Sequence, residues 1–315
     1  MLARIANNLF WMGRYIERAE HTARFTNVNY FSSLDAPNKL SRDRQFVLKS
    51  LYEMVGEEDF EKDAVLVEEE VLYNVALNPE KHYSILQCIT YARENANSSR
   101  DLISNEFYEA INTFYHSVVN YSKSHFVTRG LHDFTSHIIH QCSILKGKIR
   151  GTMLHDEIYA LIKLGVNIER ATQITRIIQI KYSDAEMVTS EKPKRLKKSF
   201  EWTTLLKCVD SFDINRRLYK KPPTKFTALE FLILNPNSPR TVLYCLNQIQ
   251  MHITLLDPLK AHEKNTAAFI IGKMKCEYHY KTAEEFQDNV KEFITYTLDS
   301  LVEISEKLEE EYFYH

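Results

Sequence analysis

The sequence predicts an all-α fold, a large multi-helix bundle, on three observations. Seven glycines and eight prolines in 315 residues leave few points at which a helix must break. Apolar residues recur at helical spacing through most of the chain. One helical motif also occurs twice. Gly13-Arg14-Tyr15-Ile16-Glu17-Arg18-Ala19-Glu20-His21-Thr22-Ala23-Arg24 returns as Gly165-Val166-Asn167-Ile168-Glu169-Arg170-Ala171-Thr172-Gln173-Ile174-Thr175-Arg176, with Gly, Ile, Glu, Arg, Ala and the distal Arg coinciding.

The first helix runs from near Leu2 to about Phe31, and residues 32–38 read as a turn. A second opens at Ser41-Arg42-Asp43-Arg44, carries Phe46, Val47, Leu51 and Met54 inward and stops near Gly56. The acidic run 57–63 reads as a solvated helix end, and a helix from Val65 to Leu77 stops at Asn78-Pro79. His82 to about Ile103 has an apolar face of Ile85, Ile89, Ala92, Ala96 and Ile103, flanked by Arg93 and Arg100. Setting Glu94 on Glu17 also matches Ala96 to Ala19, a weaker third echo of the motif. Glu94 points away from that apolar face, so this helix is read as buried on both sides, with Glu94 answering an arginine of another helix.

Asn105 to about Tyr121 is an aromatic-rich helix, Leu131 to Met153 is the next, and Asp156 to about Tyr182 carries the second motif copy. The basic run 191–198 reads as a solvated connector, and Trp202 to Tyr219 as one helix ended by Pro222-Pro223. Phe226 to Leu234 is short and apolar. Ser238 is the expected N-cap and Pro239 the first helical position of a helix reaching about Leu256. Lys260 to about Tyr278 and Thr282 to about Tyr312 complete the chain, the last opening with the capping box Thr282-Ala283-Glu284-Glu285.

At about 100° per residue, each motif copy places its Gly, Ile, Glu and distal Arg on one side of its helix and turns the middle Arg, Arg18 or Arg170, well away. That side is otherwise oily: Leu2, Ile5, Ala6, Leu9 and Ile16 in the first copy, Ile158, Leu161, Ile162 and Ile168 in the second. Charges inside such a stripe are costly unless paired, so Glu17, Glu20, Arg24, Glu169 and Arg176 are expected to be partners of one another or of a ligand. Glu20 and Arg24 can pair within their helix, whereas Glu17 and Arg24, like Glu169 and Arg176, would reach across to a facing one. Two readings stand. One is a structural ion-pair network that sets helix register; the other is a polar cavity holding a charged ligand or a peptide terminus. Gly13 and Gly165 let another backbone approach and fit both. The recurrence suggests two related helical halves, 1–153 and 154–315, and packing the motif helices together would gather both Glu-Arg sets at one place.

Composition narrows the function classes. The chain is 44% hydrophobic and 26% charged, ordinary for a soluble globular protein, and its formal charge of −2 gives no argument for nucleic acid or an anionic membrane. No apolar run approaches the roughly 18 residues of a membrane span. The start lacks the shape of a signal peptide, and five widely separated cysteines read as reduced core thiols, so a cytoplasmic location is expected. Phosphate-cradling glycine loops, His-Glu-x-x-His, Glu-x-x-His and Gly-x-Ser-x-Gly are all absent. His137 and His140 could share a metal, but an isolated pair is ordinarily structural; no metal and no cofactor are expected.

The opening Met1-Leu2-Ala3-Arg4-Ile5-Ala6-Asn7-Asn8-Leu9-Phe10-Trp11-Met12-Gly13-Arg14-Tyr15-Ile16-Glu17-Arg18-Ala19-Glu20 closely resembles the start of the alpha-E domain family, uncharacterised all-helical bacterial proteins named for Glu-Arg motifs. The likeness continues in Ala92-Arg93-Glu94-Asn95-Ala96, Asn167-Ile168-Glu169-Arg170-Ala171, Trp202 with Arg216-Arg217, Glu230-Phe231-Leu232-Ile233-Leu234 and Pro239-Arg240-Thr241-Val242. It thus covers most of the chain, and residues 1–315 are read as one such domain. Thr172 and Asn97 depart from it, standing where an acidic residue and an Arg often occur. The resemblance implies association with circularly permuted ATP-grasp proteins and transglutaminase-like peptidases, in peptide synthesis, tagging or modification.

The leading expectation is a helical partner or accessory subunit of an ATP-grasp peptide ligase system, binding a peptide or amino-acid end in a Glu/Arg-lined cavity. The candidate ligand residues are Glu17, Glu20, Arg24, Arg93, Glu94, Arg100, Glu169 and Arg176, with Gly13, Arg18, Gly165, Arg170, Trp202 and Arg240 as motif residues. An Arg fork would hold a carboxylate while Glu17 or Glu169 holds an amine. The alternatives are a stand-alone enzyme, in which a buried Glu with a raised pKa acts as general base, and a structural scaffold.

Overall fold

The two motif copies lie on the two longest helices, and these form the axis of the structure. In the computed structural model, which describes residues 3–36, 43–57, 65–126, 130–190, 195–258 and 263–313, α1 spans Ala3–Leu34 and α7 spans Glu157–Ser190. Between them come α2 (Arg44–Val55), α3 (Glu68–Ala76), α4 (Ile85–Ser98), α5 (Asn105–Val119) and α6 (Leu131–Thr152), with a single turn at Lys123–His125. After α7 come α8 (Arg195–Cys208), α9 (Phe212–Tyr219), α10 (Lys225–Leu234), α11 (Val242–Leu256), α12 (Ala267–Tyr280) and α13 (Val290–Tyr312). Among the described residues there is no strand.

α1 and α7 run side by side in the same direction, because partners advance together along both: Arg14 with Glu169, Glu17 with Arg170, Asn29 with Lys181. Their closest approach is reciprocal. A Cβ on Gly13 would collide with the Ile162 carbonyl and lie 3.1 Å from the Val166 nitrogen, while a Cβ on Gly165 would collide with the Phe10 carbonyl and lie 3.1 Å from the Arg14 nitrogen. Each glycine thus seats the other helix's backbone, and no side chain fits between them. Around this pair, α4 and α6 cover α1, α11 and α13 cover α7, and α2 and α8 touch both. α7 is enclosed around nearly its whole circumference, as its apolar residues on every side require. The buried apolar side chains form one continuous cluster from Ala6 to Phe313.

Most predicted helices are present, with instructive corrections. α1 ends at Leu34 rather than Phe31, and α7 continues eight residues beyond Tyr182, to Ser190. α4 buries one face only, through Ile85, Cys88, Ile89, Ala92 and Ala96, and Glu94 on the opposite face is exposed. The region read as one helix from Trp202 to Tyr219 is two, because Asp210 adopts a left-handed conformation (φ 58°) between them. Ser238 and Pro239 do not start α11; Thr241 precedes it, and its hydroxyl donates to the carbonyls of Asn235 and Ser238, closing the preceding turn. The capping box at Thr282 closes a 3₁₀ turn, and the last α-helix begins only at Val290. Residues 37–42, 58–63 and 191–194, on which parts of the predicted turns, acidic patch and basic connector fall, lie outside the described residues, as do residues 259–262 at the expected start of α12; the rest of the connector, from Arg195, begins α8.

Gly13→Ala or Gly165→Ala is expected to push two helix backbones apart and to lower stability by at least about 2 kcal/mol, whereas Gly147→Ala on the open face of α6 leaves it unchanged or raises it. Urea unfolding of the three variants tests this.

Candidate functional site

Closing α1 onto α7 brings both Glu-Arg copies to one place and leaves Glu17 and Glu169 fully buried. The exchange is crosswise. The Arg18 guanidinium forks onto Glu169 (Nε to Oε1 2.7 Å, Nη2 to Oε2 3.0 Å), and Arg170 forks onto Glu17 (Nε to Oε1 2.6 Å, Nη2 to Oε2 3.1 Å). This corrects the expectation that the middle arginines turn away. A wheel position off the apolar stripe points to solvent only where one face is buried. With the helices this close, that position lies on the flank of the neighbour, within reach of a long side chain.

Glu169 gains a second cation, Arg14 (Nε to Oε2 2.9 Å), and the amide of Gln173 (2.7 Å). Arg14 itself lies over the Trp11 ring, 4.6 Å from its centroid, and donates to Ser305 of α13. Glu17 gains Lys146 of α6 (2.6 Å), His21 of its own helix (3.2 Å) and Arg240 (3.6 Å) from the turn before α11. Glu20, also buried, is held by Lys146, Arg240 and Arg24, the last at 3.2 Å. Asp210 stands at the rim, 3.4 Å from Arg24 and 3.9 Å from Arg240, with 55% of its side chain exposed.

The titration of these groups follows the geometry. Burial alone would push the Glu17, Glu20 and Glu169 carboxyls up, but Arg170 and Lys146 at Glu17, Lys146 and Arg240 at Glu20, and Arg18 and Arg14 at Glu169 hold each below the usual carboxylate range. A buried general base with a raised pKa was the enzyme expectation, and these carboxylates are displaced in the opposite direction. The Arg forks are likewise engaged by the protein's own carboxylates. Burial pushes His21 down despite its bond to Glu17, and its Nδ1 is buried without a hydrogen-bond partner, as is Nε of Arg24.

Glu17, Glu20, Arg24, Glu169, Arg18, Arg170 and Arg240 therefore converge, with Gly13 and Gly165 as the hinge of the arrangement. The other candidates lie elsewhere. Arg176 donates to the Met54 carbonyl (3.3 Å), and burial pushes its guanidinium down. Arg93 bonds Asn112 and sits 4.6 Å from the Tyr115 ring centroid, while Arg100 bonds Asn105 beside Tyr108. Trp202 packs in the core near Tyr182, and Glu94 is exposed. Arg14, Lys146 and Asp210 were missed. Arg14 is one position from the motif glycine, and Lys146 follows Cys142 by one turn on the buried face of α6. Nothing local marks Asp210, which reaches the site only because the chain breaks there.

Comparison with known proteins agrees with the motif. The Alpha-E family model, described as a predicted alpha-helical domain with a conserved ER motif, matches residues 1–313. Uncharacterized proteins of Mycobacterium bovis and Mycobacterium tuberculosis are 22% identical over 263 residues, covering 78% of this chain and 29% of theirs. The chain thus spans under a third of the length of these curated relatives. No solved structure matches it.

Because depressed carboxyls stabilise the folded state above their unfolded pKa of about 4.3 and lose that contribution as pH falls, the melting temperature is expected to drop steadily below about pH 4.3. Glu169→Gln leaves Arg14 and Arg18 facing a neutral amide and is expected to cost about 3–5 kcal/mol at pH 7, with a correspondingly shallower acid dependence. Thermal melts of both proteins from pH 3 to 7 measure this; equal acid slopes would refute it.

Proposed function

This chain belongs to the Alpha-E family, and from that premise we propose that it is a helical binding module that presents an anionic ligand, the carboxylate end of a peptide or amino acid, to an ATP-grasp peptide ligase. The Glu17–Arg170 and Glu169–Arg18 pairs are the structural part of this reading: both carboxylates are fully buried, each is gripped by an Arg fork, and the forks are locked to the helix crossing. Its recognition part is the mouth beside them.

The observation that carries the reading is a charge imbalance. Four cations, Arg24, Lys146, Arg170 and Arg240, surround two buried carboxylates, Glu17 and Glu20. Lys146 (22%), Arg24 (15%) and Arg240 (15%) are the more exposed of the four, Arg170 being 10% exposed, and so can meet a ligand. Excess buried charge of one sign is costly unless compensated, and an incoming carboxylate compensates it through charge-assisted hydrogen bonds. Asp210, exposed and held at long range by Arg24 and Arg240, acts as an internal stand-in that a ligand carboxylate displaces. A peptide ligase joins a carboxylate to an amine, so a module that orients one end of a chain suits that setting.

Calorimetric titration of amino acids and short peptides into the purified chain, with and without an ATP-grasp protein, tests the proposal. Arg240→Gln is expected to weaken carboxylate binding about tenfold or more, and Asp210→Asn to tighten it severalfold by removing the competitor. Binding unmoved by both substitutions, or no binding at all, would overturn the assignment of the mouth.

A further inference from the structure

Next to this mouth, on the side of α7 that faces α11, lie two polar groups that the ion-pair network does not use. His252 of α11 is 3% exposed, and neither ring nitrogen has a hydrogen-bond partner. Lys163 of α7 is half-buried, and no described residue hydrogen-bonds or pairs with its ammonium; its charged neighbours are Arg170, Glu17 and Lys146. Burial, then Arg170 and Lys146, with Glu17 opposing, push that ammonium down to about 8. Burial, followed by Lys163 and His155, pushes His252 down to about 4.

Topology explains why these groups meet. α6 packs along α1, with Cys142 meeting the Ile16 carbonyl and Lys146 meeting Glu17, and Glu17 is a charged neighbour of Lys163 as well. α11 runs antiparallel to α7: Arg170 donates to the Pro239 carbonyl at one end, and the Tyr159 ring packs edge-on against His252 (5.8 Å between centroids) at the other. His155 stacks on Tyr159 at 4.1 Å and is exposed, so an aromatic wall leads from the surface towards His252. Lys163 lies one turn beyond Tyr159 on the same stripe.

Buried imidazoles and ammonium groups are almost always satisfied, because an unmade hydrogen bond in the interior costs the full desolvation of the group. A buried imidazole with both nitrogens unmet, packed on Tyr159 one turn from a half-buried lysine that no described residue pairs, sacrifices stability at this spot, and that pattern belongs to binding sites. Resting on the reading of the mouth as a carboxylate site, we propose that Lys163 and His252 form a second oxyanion subsite, so that the ligand carries two anionic groups, as an acidic amino acid or an acidic peptide end does. One carboxylate meets Lys146 and Arg240. The second accepts from the Lys163 ammonium and the His252 N–H, and the intervening methylenes lie against Tyr159.

The test compares L-glutamate with L-glutamine, calorimetrically, on the native chain and on Lys163→Met, His252→Phe and Arg240→Gln, with the His252 ring followed by NMR. Glutamate is expected to bind at least about tenfold more tightly than glutamine and to shift the His252 ring resonances. Lys163→Met and His252→Phe are expected to abolish that preference, leave glutamine affinity unchanged, and hold or raise the melting temperature, since each removes an unpaired polar group. Arg240→Gln weakens both ligands. Equal binding of the two ligands to the native chain, still sensitive to Arg240→Gln, would overturn the second subsite and leave the mouth intact. A glutamate preference dependent on Lys163 and His252 but indifferent to Arg240→Gln would overturn the mouth instead. Silence from both ligands would remove both.

Discussion

The approach of two helix backbones at Gly13 and Gly165 is the constraint on which the rest of the structure depends. The contact is reciprocal, each glycine lying under a carbonyl of the opposite helix. It fixes the separation and register of α1 and α7, and only at that separation can Arg18 fork onto Glu169 while Arg170 forks onto Glu17. At a wider spacing those carboxylates would be buried without sufficient partners, and the desolvation cost would outweigh the gain from packing. The small residues and the charged residues of the motif are therefore one device.

That device also explains why the cluster is cationic. Each buried carboxylate collects more than one cation: Arg14 and Arg18 at Glu169, Arg170 and Lys146 at Glu17, Lys146, Arg24 and Arg240 at Glu20. The surplus is arranged asymmetrically. Around Glu169 it lies over aromatic rings of α1, where cation–π contact absorbs part of it. Around Glu20 it opens towards solvent at Lys146 and Arg240. A fold that needs buried carboxylates to set register thus acquires, on one side, a surface suited to carboxylate recognition.

Helix existence was legible in the sequence because apolar spacing and scarce breakers are local properties, and α1, α5, α6 and α10 appear close to where that spacing puts them. Helix ends were less legible, since they depend on distant contacts. α7 continues past Tyr182 because Lys181 and Asp184 pair with each other and reach Asn29, Glu201 and Ser50 in the interior. The Trp202–Tyr219 segment breaks at Asp210 with no glycine to announce it. Of the site, Glu17, Glu20, Arg24 and Glu169 were visible as charges on oily stripes. Arg18 and Arg170 were assigned the wrong direction, because a helical wheel assumes a single buried face and α7 has none exposed along most of its length.

By itself the sequence determined the all-helical class, the family and the pairing of two motif helices, because periodicity, breaker content and an internal repeat do not depend on what the chain packs against. Tertiary structure decided which arginine meets which glutamate, that Arg93, Glu94, Arg100 and Arg176 lie apart from the cluster, and that Lys146, Asp210, Lys163 and His252 lie in it or beside it. Electrostatic partnership falls off steeply with distance and burial, so it is a property of positions in space. Residues far apart along the chain acquire that relation only when α6, α7 and α11 close around the glycine crossing.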